Sequence, residues 1–482
     1  MKAAISVPFC ADSRSPVRAI APGLRVHLVG IGGSGMSGLA GLLLVKGARV
    51  SGSDVRPSHL LQSLRDRGAR VVEQQSPESV PADADLVVAS AAIAADHPEI
   101  REARRRGLPV YKYAQMLGRL MSGHEGVAVA GTHGKSTTAS WLAYTLRCAR
   151  RDPSFVIGAE VEQLGGGSGA GAGREFVAEA CEYDRSFMNL RPRRAAILNI
   201  EEDHLDCYAG LDEIEEAFTD FAALLPGGGL LVFSAHDARC RRLAGRVSCS
   251  AQSVGVEIEA DWSAQRVRLS SFGCPQFEIR REGRAFGEAT ILLAGRHNAF
   301  NALAVTALAH DCGLAWEEIR PGLESFRGAR RRLELRGEPG GVRIADDYGH
   351  HPTEIRATLA AARERFGPRR LWCVFQPHQY SRTRALLEDF AGSFGGADHV
   401  IVPDIYEARD DQAHCGDVRA IDLVRRVRDR GVDVEHIPGF MQIVAHLAAS
   451  VAPGDLVLTM GAGDVWRVAD ELVRRLSARH PA

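Results

Sequence analysis

Lysine is almost missing from this chain of 482 residues: Lys2, Lys46, Lys112 and Lys135 are its only ones. Chemistry that needs a lysine amine must use one of these four, and the sequence after Lys135 offers none. Long apolar runs are also missing. Leu42–Val45 falls far short of the ~20 residues of a membrane-spanning helix. The ten cysteines are scattered with no C-x-x-C pair, which excludes a disulfide framework and zinc-finger spacing and leaves free thiols. No charge of one sign prevails: 59 Lys+Arg face 60 Asp+Glu, for a net charge of -1. A general nucleic-acid binder would carry a strongly basic domain, so that class is set aside. Residues 1–22 have no continuous apolar stretch resembling a secretory signal. They are expected to form a loose tail on a cytoplasmic protein with no membrane insertion.

Glycine, by contrast, is plentiful, at 50 residues. At roughly 150 residues per domain the length predicts about three domains. The expected divisions are a tail over 1–22, a first domain over 23–121, a central domain over 122–335 and a third over 336–482. In the first, the apolar strand Arg25–Val29 runs into Gly30-Ile31-Gly32-Gly33-Ser34-Gly35 and a helix that stops at Gly47. Further strand and helix signals alternate along all three parts, the pattern of parallel α/β sheets. Residues 252–293 alternate apolar and polar, predicting antiparallel β within the central domain. Gly165–Gly173 reads as a flexible glycine, serine and alanine loop.

Gly131-Thr132-His133-Gly134-Lys135-Ser136-Thr137 lies between a predicted strand and helix. Its glycines let backbone N–H groups wrap phosphates, Lys135 reaches the terminal phosphates, and Ser136 offers a hydroxyl to Mg²⁺. Val129 stands where the first glycine of the general pattern sits. ATP is the expected ligand, against the plainer possibility of a glycine-rich turn that binds nothing.

The earlier loop fits G-x-G-x-x-G, with Asp54 about twenty residues on. Taken alone it suggests NAD, but any ribose diphosphate satisfies the same physics, and a purely structural turn stays open. Glu182 and His204 follow predicted strands and could converge on Mg²⁺, or simply belong to acidic surface loops. Asn298 either contacts a ligand or caps the helix that follows it. Asp346–Pro352 and Gln376–Arg384 each end a strand, at the sheet edge where α/β folds bind ligands. The tandem His350 and His351 have no third metal ligand at the usual spacing. They read as structural or substrate-contacting groups.

These motifs, in this order and over residues 23–475, resemble the Mur ligase family. The likeness rests on Gly30–Met36, Gly131–Thr137, Glu182, Asn199–His204, Gly295–Asn301, Arg331-Arg332, Asp346–Thr353 and Phe375–Thr383. It implies a Rossmann-like first domain, a central P-loop α/β domain with a small antiparallel part, and a Rossmann-like third domain. It also implies ATP-dependent amide formation through an acyl phosphate in peptidoglycan precursor synthesis. UDP-N-acetylmuramate and L-alanine are the implied partners, with two Mg²⁺ ions and a monomer or homodimer.

By the same resemblance, Gly30, Ile31, Gly32, Gly33, Ser34, Gly35, Met36, Asp54 and Ser90 hold the UDP-sugar. The ATP set is Gly131 to Thr137 with His297, Asn298, Arg332 and Asp347. Metal ligands are Ser136, Glu182 and His204; Tyr348, His350, His351, His378 and Arg382 place the amino acid. Lys135, Glu182, His204, Arg332 and His351 are the implied catalytic set, with either His351 or His350 taking the amine proton. Family members that add later residues use a carbamylated central lysine, which this chain lacks. Cys181 stands where many members carry aspartate. A ligase that attaches a preformed tripeptide is the near alternative. A nicotinamide-dependent oxidoreductase or a P-loop ATPase switch would explain one loop each.

Overall fold

A computed structural model describes residues 21–56, 59–408 and 416–479. The expected tail lies almost wholly outside the described residues. Three sheets follow one another along the chain. The first has five parallel strands, in the order Arg70–Val72, Arg49–Ser53, Arg25–Val29, Leu86–Ala89 and Val110–Lys112. Its helix Ser34–Val45 is apolar nearly all round. One side packs on the sheet, while Gly38 approaches Ser168 of the central unit so closely that a Cβ would sit 3.1 Å from the serine Cβ. Burial on both sides accounts for a helix without a polar face.

The central sheet has ten strands. Glu125–Ala130 lies between Arg194–Ile197 and Glu175–Glu179, parallel to both. Helices Lys135–Cys148 and Arg296–Asp311 cover this sheet; Trp141, Leu142, Leu303 and Leu308 are fully buried there. Trp141 stacks on Phe326 at 5.4 Å and donates its indole N–H to the Leu323 carbonyl. The third sheet has six strands: Glu334–Gly337, Arg343–Asp347, Leu456–Met460, Leu371–Phe375, His399–Val402 and Val434–His436 in spatial order. Only Glu334–Gly337 is antiparallel to its neighbour, and the expected 335/336 division falls inside it.

Three local expectations change. Antiparallel pairing holds for Trp262–Leu269, Pro275–Arg281 and Arg284–Thr290, but Ser250–Val256 runs parallel to Trp262–Leu269. The Asp261 carboxylate accepts from both Ser253 N–H and Oγ–H, and Glu257 takes φ 55°, folding the short connection back. Asn298 is not the N-cap: the helix begins at Arg296 after Gly295, whose φ is 93°. Residues 165–173 are not a loose loop. Ser168–Gly169 pairs with Ser154–Val156, and a Cβ on Gly171 would stand 1.9 Å from the Asp152 carbonyl oxygen. Here small residues answer a close backbone approach rather than flexibility.

Candidate active site at the meeting of three sheets

Strand Glu125–Ala130 ends at the phosphate-type loop. Gly131 and Gly134 have φ of 136° and 81°, which only glycine adopts without strain. The loop is fastened to residues 199–204, which leave the neighbouring strand. Asn199 Oδ1 accepts from His133 N–H at 2.7 Å, and Thr132 Oγ accepts from Glu201 N–H at 2.9 Å. Asn301 backs the loop from helix Arg296–Asp311: a Cβ on Gly134 would sit 3.0 Å from its Oδ1. Lys135 Nζ donates to the carbonyls of Gly131 and Thr132 and, at 2.9 Å, to Glu182 Oε1. Burial opposes that charge, but Glu182 outweighs it and holds the ammonium protonated.

The three expected metal ligands are only partly together. His204 Nε2 lies 3.7 Å from Glu182 Oε1. Ser136 Oγ instead donates to Glu179, at 3.0 and 2.9 Å from its two oxygens. Glu179 is a site residue that the sequence reading missed. Its signal was its place at the carboxyl end of strand Glu175–Glu179, three residues before Glu182. Glu182 Oε2 and His204 Nδ1 are buried with no hydrogen-bond partner, and burial lowers the His204 pKa. Orphaned carboxylate and imidazole atoms beside a hydroxyl fit a divalent cation. Cys181 lines the same cavity at an exposed position, with its thiol pushed up to about 12 by desolvation in the cavity wall and by Glu182.

Two cavities meet over the loop. One, of about 720 Å³, is lined by Thr137, His297, Asn298, Asp347 and Thr358. The other, of about 750 Å³, is bordered by Lys135, Ser136 and His204, by Tyr348, His350, His378 and Arg382, and by Ser37 and Gly38 of the first unit. Gly134, Arg332, Glu334 and Glu354 line both. Arg332 stands at the passage, 3.8 Å from Glu354 Oε1 and 5.3 Å from the Tyr348 ring. Its neighbour Arg331 also borders the larger cavity but is tied to Asp346 and to the carbonyls of Gly461 and Gly463. Opposite φ needs separate the two side chains: Arg331 and Leu333 both sit at positive φ, of 58° and 48°. His204 and Gln379 do likewise, at 54° and 75°, so strained backbone clusters at this site.

His297, Asn298 and Asp347 line the smaller cavity together. Asn298 donates to Ala294 O and, at 3.1 Å, meets His297 Nε2. His297 is lowered to about 4, by burial and then by Arg332. Asp347 accepts N–H bonds from Leu333 and Gly349, and burial raises it to about 6 against the pull of Arg332.

Third-unit residues divide. His350 and His378 face the larger cavity, their rings 6.1 Å apart. Burial lowers His350 to about 4, with Glu354 opposing, so the ring is neutral near pH 7. His351 does not join them. It caps helix Pro352–Phe366, with Nε2 2.9 Å from Glu202 O and its ring 4.5 Å from that of His133. Of the two histidines considered for the amine proton, His350 lines the larger cavity and His351 lines neither. Arg382 is also committed, to Asp203 at 2.8 Å with both side chains over 90% buried.

In the first unit Gly30 has φ 79° and Gly33 is exposed ahead of the helix. Ile31 and Met36 point their side chains into the core, away from the loop surface. Asp54 accepts from Gly32 N–H at 2.8 Å and Arg56 N–H at 2.9 Å, bracing the loop. Ser90 lies against Gly30, where a Cβ would be 3.1 Å away.

Residues 25–125 match the profile described as "Mur ligase family, catalytic domain", 129–309 "Mur ligase middle domain" and 331–463 "Mur ligase, glutamate ligase domain". The chain belongs to the Mur ligase family. It is 44% identical over 455 residues to the UDP-N-acetylmuramate–L-alanine ligase of Geobacter sp. (strain M21), covering 94% of this chain and 98% of that one. The enzyme of the same name from Alkaliphilus metalliredigens is 40% identical over 450 residues, covering 93% and 97%. Among solved structures, the UDP-N-acetylmuramate-alanine ligase of Thermotoga maritima superposes with a TM-score of 0.80 at 26% identity, covering 95% of this chain and all of that one. A murein peptide ligase from Psychrobacter arcticus gives 0.70 at 25%, covering 94% and 99%. The expected three-domain α/β fold is therefore the family's fold. No helix among the described residues is long and apolar enough to cross a membrane.

Proposed function

We propose that this chain is an ATP-dependent ligase joining L-alanine to the carboxylate of UDP-N-acetylmuramate, giving the amide, ADP and phosphate. The observation that carries the reading is the passage at Arg332 and Gly134. There a cavity suited to a nucleotide opens into one bordered by all three units. The tripeptide-attaching and nicotinamide readings are less supported: the curated relatives above carry the alanine ligase name over nearly their full length.

The first unit would hold the UDP-sugar on Gly30–Gly35, the central unit ATP, and the third unit L-alanine. The adenosine would occupy the cavity beside Asn298 and Asp347, its phosphates on Gly131–Thr137. The muramyl carboxylate attacks the γ-phosphorus, forming an acyl phosphate. Lys135 and Arg332 flank that position and stabilise charge spreading over the phosphoryl oxygens. Glu179, Glu182, His204 and Ser136 would hold Mg²⁺, at up to two sites, which neutralises phosphate charge when bound. The alanine amine then attacks the acyl carbon, and phosphate leaves. His350 is neutral, and its Nδ1 faces Tyr348 O at 3.2 Å, so Nε2 remains as a proton acceptor. Contact among three units excludes water from the acyl phosphate. ATP and a sugar nucleotide as substrates fit a cytoplasmic enzyme.

The test is phosphate release with ATP, Mg²⁺ and UDP-N-acetylmuramate, with and without L-alanine, beside a mixture containing L-alanyl-γ-D-glutamyl-diaminopimelate. Release requiring free L-alanine is expected. Preference for the tripeptide would transfer the chain to the recycling reaction, and release indifferent to any acceptor would leave an ATPase.

A further inference from the structure

Behind the phosphate loop lies a cluster of side chains to which the proposed reaction assigns no chemical step. His133 comes from the loop itself, Glu201 from the segment after Arg194–Ile197, and His351 from the third unit. One ligand atom from each lies within 4.8 Å of the others. His133 Nε2 is 3.5 Å and His351 Nδ1 3.9 Å from Glu201 Oε2. Each imidazole has its remote nitrogen facing an oxygen: His133 Nδ1 is 3.4 Å from Glu354 Oε1, and His351 Nε2 is 2.9 Å from Glu202 O. This is the outer arrangement that fixes histidine tautomers in metal sites, leaving the other lone pair directed inward. His133 Nε2 is buried with no hydrogen-bond partner. Thr353 Oγ–H, at 2.6 Å, orients the Glu201 carboxylate.

We infer that His133, Glu201 and His351 form a site for a zinc-like divalent ion that ties the central unit to the third. Two imidazoles and one carboxylate suit zinc-like ions, whereas Mg²⁺ favours oxygen ligands alone. At zinc–ligand bonds of about 2.0–2.1 Å, tetrahedral ligand atoms stand about 3.4 Å apart. The three side chains therefore close by up to about 1.4 Å to seat the ion. His351 then gives up only its 3.3 Å bond from Thr353 N–H. The fourth position opens on the smaller cavity, which His133 and Glu201 line. The competing occupant is a proton that Glu201 and Glu354 hold on His133. Because the ligands come from two units, the bound ion latches those units together and slows any step that separates them.

The site is independent of the ligase reading, and its test reads metal binding rather than turnover. Zn²⁺ is titrated into the purified full chain, without nucleotide, against a chromophoric chelator. One equivalent is expected to bind. Glu201→Gln and His351→Gln should each weaken it by at least the ~10–100-fold that loss of an outer partner costs. Glu182→Gln, at the separate Lys135–Glu182–His204 cluster, should leave the zinc affinity within about twofold. The wild-type chain loaded with Co²⁺ should show visible d–d bands without a thiolate charge-transfer band. That spectrum decides the matter if a ligand variant fails to fold. No competition with the chelator, loss in Glu182→Gln with retention in Glu201→Gln, or a thiolate band pointing to Cys181 would each overturn the inference.

Discussion

Arg382 and Asp203 give the sharpest test of how the central and third units are held together. The guanidinium donates through Nε at 2.9 Å and lies 2.8 Å away through its terminal nitrogen, with side chains only 6% and 7% exposed. Burial would raise the Asp203 pKa, yet Arg382 holds it well below the usual carboxylate range. Arg382→Met keeps much of the volume and leaves a buried carboxylate with its main cation gone. Removing one partner of such a pair costs about 3–5 kcal/mol. The contact joins two units rather than lying inside one core, so the cost falls on their closed arrangement. At about 1.4 kcal/mol per decade, kcat/KM for L-alanine should drop by roughly 10²- to 4 × 10³-fold. Melting of the separate cores should move little. Adding Asp203→Asn removes the stranded charge and should recover part of the loss, an interaction of at least about 1 kcal/mol in a double-mutant cycle. Strict additivity, or a loss below tenfold in Arg382→Met, would refute the reasoning.

Glu179→Gln should raise the Mg²⁺ concentration for half-maximal activity while leaving the melting temperature nearly unchanged, because Gly158 N–H can still bond the amide oxygen. Gly171→Ala places a methyl against the Asp152 carbonyl and should cost about 1–3 kcal/mol or more in chemical denaturation. Cys181 is as exposed as Cys148, but with its thiol at about 12 it should react with iodoacetamide near neutral pH more slowly than its exposure predicts, as alkylation followed by mass spectrometry would show. His350 is depressed to about 4 from an ordinary 6.5, so the folded state favours the neutral ring. Its stabilising contribution is complete above pH 6.5 and is lost as pH falls through 4. The acid limb of kcat/KM for L-alanine should therefore lie nearer 4 than 6.5, and His350→Gln should lower kcat by about 10²-fold or more.

The phosphate loop was legible because its chemistry is local. Strand, two glycines, lysine, hydroxyl and helix sit within a few residues, and the backbone they require follows from steric rules. Order and spacing of the other motifs were equally readable, and with them the family and its three α/β units. The lysine census, too, needs no structure. Sequence alone is ambiguous where one residue type serves two physical ends. The run at 165–173 suggested freedom, but Gly171 and Gly173 within it answer close approach to Arg151 and Asp152. Ile31 and Met36 share a binding motif with their neighbours but point the other way.

Which acid meets which base was decided only by the tertiary structure. Lys135 and Glu182 lie 47 residues apart, Glu201 and Thr353 152, and Asp203 and Arg382 179. Sequence spacing sets the contacts within a helix or turn, but not those across sheets. Adjacent residues such as His350 and His351, or Arg331 and Arg332, are equivalent in the sequence. Packing then turns His350 to a cavity and His351 to a helix cap, and it ties Arg331 to Asp346 while Arg332 stands where the two cavities meet. Burial removes water, and that makes a proton, a salt bridge or a metal-ready lone pair depend on its few remaining contacts.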